Sequence, residues 1–199
     1  MKTKFIGLTG QTGAGKSTIS EFAEKMGYKI INADKAAREI MGNHSDCLKR
    51  LAEIFGSDII NSDGSCNRKL LAKRAFTTRE NTDILNSVTH PAIISRVQEY
   101  IDIYSKDSEV IIFDAPQLFE SGSDKMCDKI IAVVAPVDVR LKRLVSRDGI
   151  SESDVLMRMK VQLDEDFFRA NADYIIDGSK PLKDVQRQFE EIMKKVMGT

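Results

Sequence analysis

A glycine-rich turn near the N-terminus constrains the fold of this chain more than any other feature. The stretch GLTGQTGAGKST, residues 7–18, closes an apolar run and opens a segment with helical periodicity. Residues 10–17 match the pattern GxxxxGK[ST], in which the glycines allow positive φ and let the backbone approach an anion closely. Successive N–H groups then point inward, and the following helix adds unpaired donors and partial positive charge. The stretch therefore predicts a strand, a phosphate-binding loop and a helix in succession.

Within this loop, Lys16 is expected to reach the β and γ phosphates of a nucleoside triphosphate, and the Ser17 hydroxyl is expected to bind Mg²⁺. The alternative is a glycine-rich turn that holds no ligand, but four fixed positions between a strand and a helix favour the phosphate site. The residues expected to contact the nucleotide are Gly10, Thr12, Gly13, Ala14, Gly15, Lys16, Ser17 and Thr18.

The rest of the chain alternates short runs rich in Ile and Val with longer segments of 3.6-residue periodicity, a pattern typical of an α/β fold with a mostly parallel sheet. Because the short runs are apolar throughout, both faces of the sheet should be covered by helices. Five strands are expected, at Lys4–Thr9, Lys29–Ala33, Val110–Asp114, Lys129–Ala135 and Tyr174–Asp177.

Helices are expected between these strands. The first should run from Lys16 to Met26 and end at Gly27 in a left-handed cap. Residues 46–105 contain no strand-like run and read as a helical insertion, with a helix interrupted at His90-Pro91, where the chain must kink or restart. The final helix should bury a stripe formed by Leu182, Val185, Phe189, Ile192 and Val196.

Composition excludes several classes of protein. Thirty basic residues balance thirty acidic ones, so no overall field draws the chain to nucleic acid or to an anionic membrane. No secretory signal and no run long enough to span a bilayer are visible. Cys47, Cys66 and Cys127 lack the spacing of a zinc site or a disulfide framework. We therefore expect a cytoplasmic protein with no nucleic-acid or membrane partner, and the oligomeric state stays open.

Two carboxylates follow strands at the edge where the glycine loop should lie. Asp114 ends an apolar strand and can bind Mg²⁺ directly or through water, or it can cap the turn at Ala115-Pro116. Asp34 follows the second strand and can orient an acceptor hydroxyl and take its proton. Asp34 also suits the N-cap of the next helix, and the residues alone favour the cap.

The nucleotide site by itself fits a motor, a switch GTPase or a small-molecule kinase. A GTPase normally carries an NKxD segment, and Asn67-Arg68-Lys69-Leu70 fails at the fourth position, so a switch function is disfavoured. After the fourth strand, Arg140, Arg143 and Arg147 recur at spacings of three and four on one helix face, away from the apolar Leu144. They form either a solvated face or part of a mobile lid that brings positive charge to the phosphates.

Several separated motifs together resemble the dephospho-coenzyme A kinase family over nearly the whole chain. The most specific are the DxPxLFE segment, residues 114–120, and the stretch from the Arg-Asp-Gly at 147–149 to ADYIID at 172–177. Further matches are the glycine loop, NAD at 32–34 followed by Ala37-Arg38, Asn67-Arg68, Leu85-Asn86 with His90-Pro91, and Arg158 with Gln162.

The resemblance implies a three-layer P-loop NTPase fold with a core, a helical acceptor-binding region and a helical lid. The core would comprise about residues 1–45, 106–136 and 172–199, the acceptor-binding region about 46–105 and the lid about 137–171. It also implies ATP- and Mg²⁺-dependent phosphorylation of the ribose 3′-hydroxyl of dephospho-coenzyme A.

Roles for individual residues follow from the same resemblance. Asp34 becomes the expected base, Thr9 and Lys16 bracket the phosphates, and Arg140, Arg143 and Arg147 supply a lid arginine. Ser17 and Asp114 are the expected metal ligands. The expected acceptor contacts are Asp34, Arg38, His90, Asp114, Pro116, Leu118 and Phe119.

The chain also departs from the family pattern at separate positions. Gln11 stands where glycine is usual, which is harmless if its φ is negative. Phe167-Phe168 follows Gln162 where the family tends toward acidic residues and Lys, and Gly178-Ser179 stands where an Asn is common.

Overall fold

A computed structural model describes residues 3–198 of the chain. These residues form two compact units, one containing the chain up to Ile30 and from Tyr104 onward, the other spanning Ile31–Ile103. The expected division into core, acceptor-binding region and lid is a functional one and stays a prediction.

The sheet has five strands, β1 (Lys4–Gly10), β2 (Lys29–Asn32), β3 (Val110–Asp114), β4 (Lys129–Val134) and β5 (Tyr174–Asp177). Their order is β2-β3-β1-β4-β5, so β1 is central. The pairs β1–β3, β1–β4 and β4–β5 are parallel, and Leu8 of β1 lies opposite Asp114 of β3. All five expected strands are present, with bounds that differ by at most one residue.

The helices are α1 (Lys16–Lys25), α2 (Ala33–Ile40), α3 (Asp46–Phe55), α4 (Arg68–Ala75), α5 (Arg79–Tyr104), α6 (Val137–Asp148), α7 (Glu152–Lys160), α8 (Glu165–Asn171) and α9 (Leu182–Met197). Short 3₁₀ turns occur at Ser57–Ile59 and Ser123–Met126. None of the helices within residues 3–198 combines the length and the apolar character that crossing a membrane requires.

Helices cover both faces of the sheet in the first unit. Ile6, Ile131 and Val133 belong to a core cluster with Ile19 of α1 and Phe189 of α9. Neighbouring strand residues point to the opposite face, where Ala132 and Val134 pack with Phe168 of α8. The expected three-layer α/β/α fold is thus confirmed.

The second unit has a core of its own. Leu48, Leu51 and Phe55 of α3 pack with Ile59 and with Leu71 of α4. The residues of α5 that lie against this cluster are Ile84, Leu85 and Val88. The helix α5 contains Pro91 in its interior and does not restart there, so the expected interruption at His90-Pro91 does not end the helix.

Of the two predictions about helices α1 and α9, one is confirmed and the other is partly correct. Gly27 has φ of 85°, which confirms the left-handed end expected after α1. In α9, Val185, Phe189, Ile192 and Val196 are buried, but Leu182, the first residue of the helix, is 63% exposed. The expected core stripe is therefore correct except at its first member.

Candidate active site

The glycine loop follows the central strand β1 and leads into α1. Gly10, Gly13 and Gly15 have φ values of 147°, 82° and 106°, which L side chains rarely adopt. At Gly10, a Cβ atom would lie 2.3 Å from the carbonyl oxygen of Val133 in β4. Glycine is therefore required by space as well as by φ at this position. Gln11 has no positive φ, so its replacement of the usual glycine introduces no backbone strain.

The loop presents a set of unpaired N–H donors. The Ala14 N–H donates to the Gln11 carbonyl at 3.0 Å, and the Thr18 N–H donates to the Gly15 carbonyl at 3.1 Å. No acceptor within residues 3–198 pairs with the N–H groups of Gly13, Gly15, Lys16 and Ser17. Unpaired amides at the N-terminus of a helix form an anion-binding site, and the helix dipole adds to their positive potential.

Lys16 and Asp114 meet at the carboxyl ends of β1 and β3. The Lys16 ammonium forms an ion pair with Asp114 Oδ1. Ser20, one turn further along α1, donates a 2.8 Å hydrogen bond to Asp114 Oδ2. Asp114 is only 5% exposed. Because both of its carboxylate oxygens have partners on α1, the carboxylate does not cap the turn at Ala115-Pro116.

The donors available for a divalent cation are few. The Ser17 hydroxyl is exposed and bonds to no side chain within residues 3–198. In the same part of the chain, no group of three or more His, Cys, Asp or Glu residues can hold a metal ion. One hydroxyl and one carboxylate fit Mg²⁺, which takes its remaining ligands from substrate phosphates and water.

The segment after β3 contacts the end of β1, the strand that leads into the glycine loop. Thr9 is fully buried and its hydroxyl donates a 3.2 Å hydrogen bond to the Pro116 carbonyl. Leu118 is also fully buried and packs closely over Gly7, where an added Cβ atom would lie 2.8 Å from Leu118 Cδ2. Thr9, Pro116 and Leu118, expected to contact ligands, thus contribute packing and a hydrogen bond in this structure.

Phe119 joins an aromatic cluster instead of standing free. Its ring centroid lies 5.3 Å from that of Phe167 in an edge-on arrangement and 6.0 Å from that of Phe168. The two phenylalanines that depart from the family pattern therefore pack α8 against the segment after β3.

The three arginines of α6 have three different environments. Arg140 is 5% exposed, and its Nε donates a 2.9 Å hydrogen bond to the Ala135 carbonyl. Burial lowers the pKa of this guanidinium from its ordinary value. Of the two alternatives for the three arginines, a solvated face is therefore wrong for Arg140, whose side chain is buried.

Arg143 bridges the glycine loop and the segment after β5. Its NH1 lies 3.3 Å from the carbonyl oxygens of both Gly13 and Ala14, and its NH2 donates a 2.9 Å hydrogen bond to the Gly178 carbonyl. A Cβ atom on Gly178 would lie 1.9 Å from the Ala14 carbonyl oxygen. The absence of a side chain at residue 178 is thus what lets this segment approach the loop so closely.

Arg147 is exposed and pairs with the adjacent Asp148, its Nε lying 2.7 Å from Oδ1. Arg158 of α7 reaches the other carboxylate oxygen of Asp148 at 4.0 Å. The hydrogen bonds from Arg147 hold the pKa of the Asp148 carboxyl below its ordinary value. One carboxylate therefore links two cationic side chains on consecutive helices.

Within the second unit, Asp34 lies in the first turn of α2. The N-cap of α2 is Asn32, whose side chain accepts a 2.8 Å hydrogen bond from the Lys35 N–H. The N-cap reading of Asp34 is therefore wrong, because the helix begins one residue earlier than Asp34 and the Asn32 amide fills that role. The Asp34 carboxylate is exposed and has no hydrogen-bond or ionic partner within residues 31–103.

The other residues expected to contact the acceptor lie on α2 and α5. Arg38 stands in the last turn of α2, and its carbonyl oxygen lies 3.4 Å from NH2 of Arg68. His90 lies inside α5, next to Pro91.

Some residues of the site were not singled out from the sequence. Ser20 supports Asp114 through a side chain one turn from Lys16, and its spacing within α1 was the available signal. Gln162 contacts Thr12 of the glycine loop, and it was noted in the sequence only as part of a family motif.

Comparisons with known proteins agree with this geometry. The family model described as "Dephospho-CoA kinase" matches residues 4–184. A dephospho-CoA kinase from Corynebacterium efficiens is 35% identical over 193 residues, covering 96% of both chains. A crystal structure of a Thermus thermophilus protein is similar at a TM-score of 0.84, with 27% identity and 98% coverage of both chains. The structure of a dephospho-CoA kinase from Campylobacter jejuni is similar at a TM-score of 0.66, with 25% identity, covering 98% of this chain and 97% of that one.

Proposed function

This chain belongs to the dephospho-CoA kinase family, and from that premise we propose that it transfers the γ-phosphoryl group of ATP to the ribose 3′-hydroxyl of dephospho-coenzyme A. The product is coenzyme A, so the reaction is the last step of coenzyme A biosynthesis. The observation that carries the proposal is the row of unpaired N–H groups at Gly13, Gly15, Lys16 and Ser17.

The glycine loop accounts for the nucleotide half of the reaction. Its free amides and the N-terminus of α1 stabilise negative charge on the phosphates, and Lys16 leaves Asp114 to reach the transferred group. Such donors are fixed before the reaction, so they stabilise developing charge without having to reorganise.

Asp34 accounts for the acceptor half. Its exposed carboxylate, unpaired within its own unit, can accept a hydrogen bond from the attacking hydroxyl and take the proton as the phosphoryl group transfers. Arg38 follows one turn later on α2, where its guanidinium is available to an anionic group of the acceptor. His90, Pro116 and Phe119 complete the acceptor contacts that we propose.

Ser17 and Asp114 would hold Mg²⁺ together with the phosphates. The cation supplies positive charge that neutralises the phosphate oxygens. The protein's own contribution is to orient the phosphates with the loop amides, and to exclude water with the helices after β4, on which Arg140, Arg143 and Arg147 lie.

An acceptor panel tests the proposed function. ATP consumption is measured by a coupled assay with dephospho-coenzyme A, with a nucleoside and with a nucleoside monophosphate, and the product is examined by mass spectrometry for one added phosphoryl group. We expect turnover with dephospho-coenzyme A to exceed that with the other acceptors by at least about a hundredfold. The variant Lys16→Met, prepared in parallel, should show no transfer and so excludes a contaminating kinase. Faster phosphorylation of a nucleoside or nucleotide would instead assign the chain to another class of P-loop kinase.

A further inference from the structure

One side chain from the segment after α7 holds the glycine loop at Thr12. The Gln162 Nε2 donates a hydrogen bond to the Thr12 hydroxyl, and the Gln162 Oε1 lies 3.4 Å from the Thr12 N–H. A carboxamide carries a donor and an acceptor on one planar group, which matches the hydroxyl and the N–H of a single threonine.

The helix α7 has few other anchors. Of its nine residues only Val155 is buried, while Val161, which ends the helix, is 86% exposed. The preceding helix α6 ends at Gly149, whose φ is 65° and around which there is open space. Segments with few buried apolar contacts open at low free-energy cost, so the polar contact to Thr12 is a large part of what holds α7 in place.

The contact is also close. Thr12 and Gln162 line a cavity of about 20 Å³ together with Leu144, Val155 and Met159. A cavity of that size holds roughly one water molecule. Side chains of α6 and α7 therefore line a small space beside the loop, and Gln162 supplies the hydrogen bonds to Thr12.

The position of α7 determines the position of one arginine, Arg158. Arg158 of α7 and Arg147 of α6 share the Asp148 carboxylate. A shift of α7 away from Thr12 would move Arg158 and change the charge around Asp148.

We propose that Gln162 is a positioning residue for phosphoryl transfer, which docks α7 on the glycine loop through Thr12 and thereby sets where Arg158 stands relative to the phosphates. The inference rests on the proposed function for its kinetic consequence, but the docking itself needs no acceptor. It can therefore be tested separately from the reaction.

Hydrogen exchange of the free protein tests the docking. In Gln162→Ala, amide exchange in peptides covering residues 10–16 and 150–163 should rise roughly 5- to 100-fold, the loss of one to two hydrogen bonds. The control Gln186→Ala removes a surface carboxamide of α9 that bonds Glu190 and should leave both peptides unchanged. Unaltered exchange in Gln162→Ala would overturn the docking, whichever acceptor the enzyme uses.

Kinetics test the positioning role. Gln162→Ala should lower kcat roughly 5- to 100-fold while ADP affinity stays within about threefold, because the unpaired amides and Lys16 remain. Gln162→Glu keeps an acceptor for the Thr12 N–H and for the Thr12 hydroxyl, so it should restore slow exchange, yet its charge should weaken ATP binding most at low salt. A wild-type kcat in Gln162→Ala, or a ratio of wild-type to Gln162→Glu affinity for ATP that does not change with salt, would refute the proposal.

Discussion

The two units present their carboxylates in opposite ways. In the first unit, Asp114 is buried and held by Lys16 and Ser20. In the second, Asp34 is exposed and unpaired within that unit. A carboxylate that holds charged groups in position is itself fixed by hydrogen-bond and ionic partners, as Asp114 is. A base, in contrast, needs an oxygen lone pair that no other group occupies. The comparison therefore separates a carboxylate held in place by its partners from one that is free to act in the proton transfer we propose.

Replacing Asp34 with Asn gives the largest expected effect on rate. The variant keeps the size of the side chain but cannot take the acceptor proton, so kcat should fall by roughly 10²- to 10⁴-fold. The melting temperature and the KM for ATP should stay near their wild-type values, since the carboxylate has no partner to lose within its unit. Steady-state kinetics and thermal unfolding measure these quantities.

Asp46→Asn is the matched control for that variant. Asp46 lies in the first turn of α3, as Asp34 lies in the first turn of α2, and its side chain is 95% exposed. It should reproduce any change caused by removing a negative charge from a helix N-terminus, with no loss of kcat. Near-normal turnover in Asp34→Asn would remove the assignment of the base.

The corresponding change at Asp114 should act first on stability. Asp114→Asn leaves the largely buried Lys16 ammonium without a countercharge, so the free energy of unfolding should fall by roughly 1–3 kcal/mol. Activity should fall as well, because the carboxylate is the proposed metal ligand. Urea unfolding of the full chain, with activity assays over a range of Mg²⁺ concentrations, measures both effects.

Asp173→Asn provides the comparison at the amino ends of the strands. Asp173 pairs with Lys129 at 2.6 Å and accepts a hydrogen bond from the Ile130 N–H, but both side chains of the pair are substantially exposed. The loss of stability should be smaller than for Asp114→Asn, since water screens the pair. An equal or larger loss at Asp173 would contradict the expectation that the buried pair contributes more to stability than the exposed one.

The smallest expected effect concerns the far end of α2. Glu39 accepts hydrogen bonds from the Tyr100 hydroxyl at 2.7 Å and from Arg96 Nε at 2.8 Å. The variant Glu39→Gln should lower the free energy of unfolding by about 0.2–1 kcal/mol at neutral pH. It should also lower kcat less than about tenfold, since Asp34 lies on the same helix.

The difference in stability between the wild type and Glu39→Gln should depend on pH, because the Glu39 carboxyl group titrates. The hydrogen bond from Tyr100, followed by those from Arg96, lowers the pKa of Glu39 below its ordinary value of 4.5. A lowered pKa stabilises the fold above that ordinary value, and the stabilisation is lost as pH falls through the folded-state pKa. The free energies of unfolding of the wild type and of Glu39→Gln, measured in urea at several pH values, should therefore converge at acidic pH. Glu99→Gln, which removes the other carboxylate bonded to Arg96, should have a smaller effect because Tyr100 is not involved.

The glycine loop and the five strands could be predicted because their signals are local. The sequence pattern requires glycine where φ is positive, and the continuous apolar runs identify strands covered on both sides. The predicted β2 included Ala33, whereas the strand ends at Asn32. The N-cap of α2 was not predicted correctly, because Asn32 and Asp34 both suit an N-cap and only the backbone conformation decides between them.

The spacing of residues along the sequence could not predict the tertiary contacts. The spacing of Arg140, Arg143 and Arg147 indicates a shared face, but it cannot show that Arg140 is buried against the Ala135 carbonyl. The interior position of Pro91 in α5 is similar, because the sequence pattern alone does not decide whether a proline kinks a helix or ends it. The contact of Gln162 with Thr12 joins segments far apart in sequence, and no local rule detects such a pair.

The close approach of Gly178 to Ala14 has a consequence for the order in which the protein becomes competent. The Arg143 guanidinium links the loop carbonyls to Gly178, so residues near the start of the chain depend on a segment made near its end. A nascent polypeptide still lacking β5 has the complete phosphate-binding sequence but not the bridge that holds its carbonyls. We therefore expect the glycine loop to reach the geometry described above only after β5 and the segment that follows it are in place.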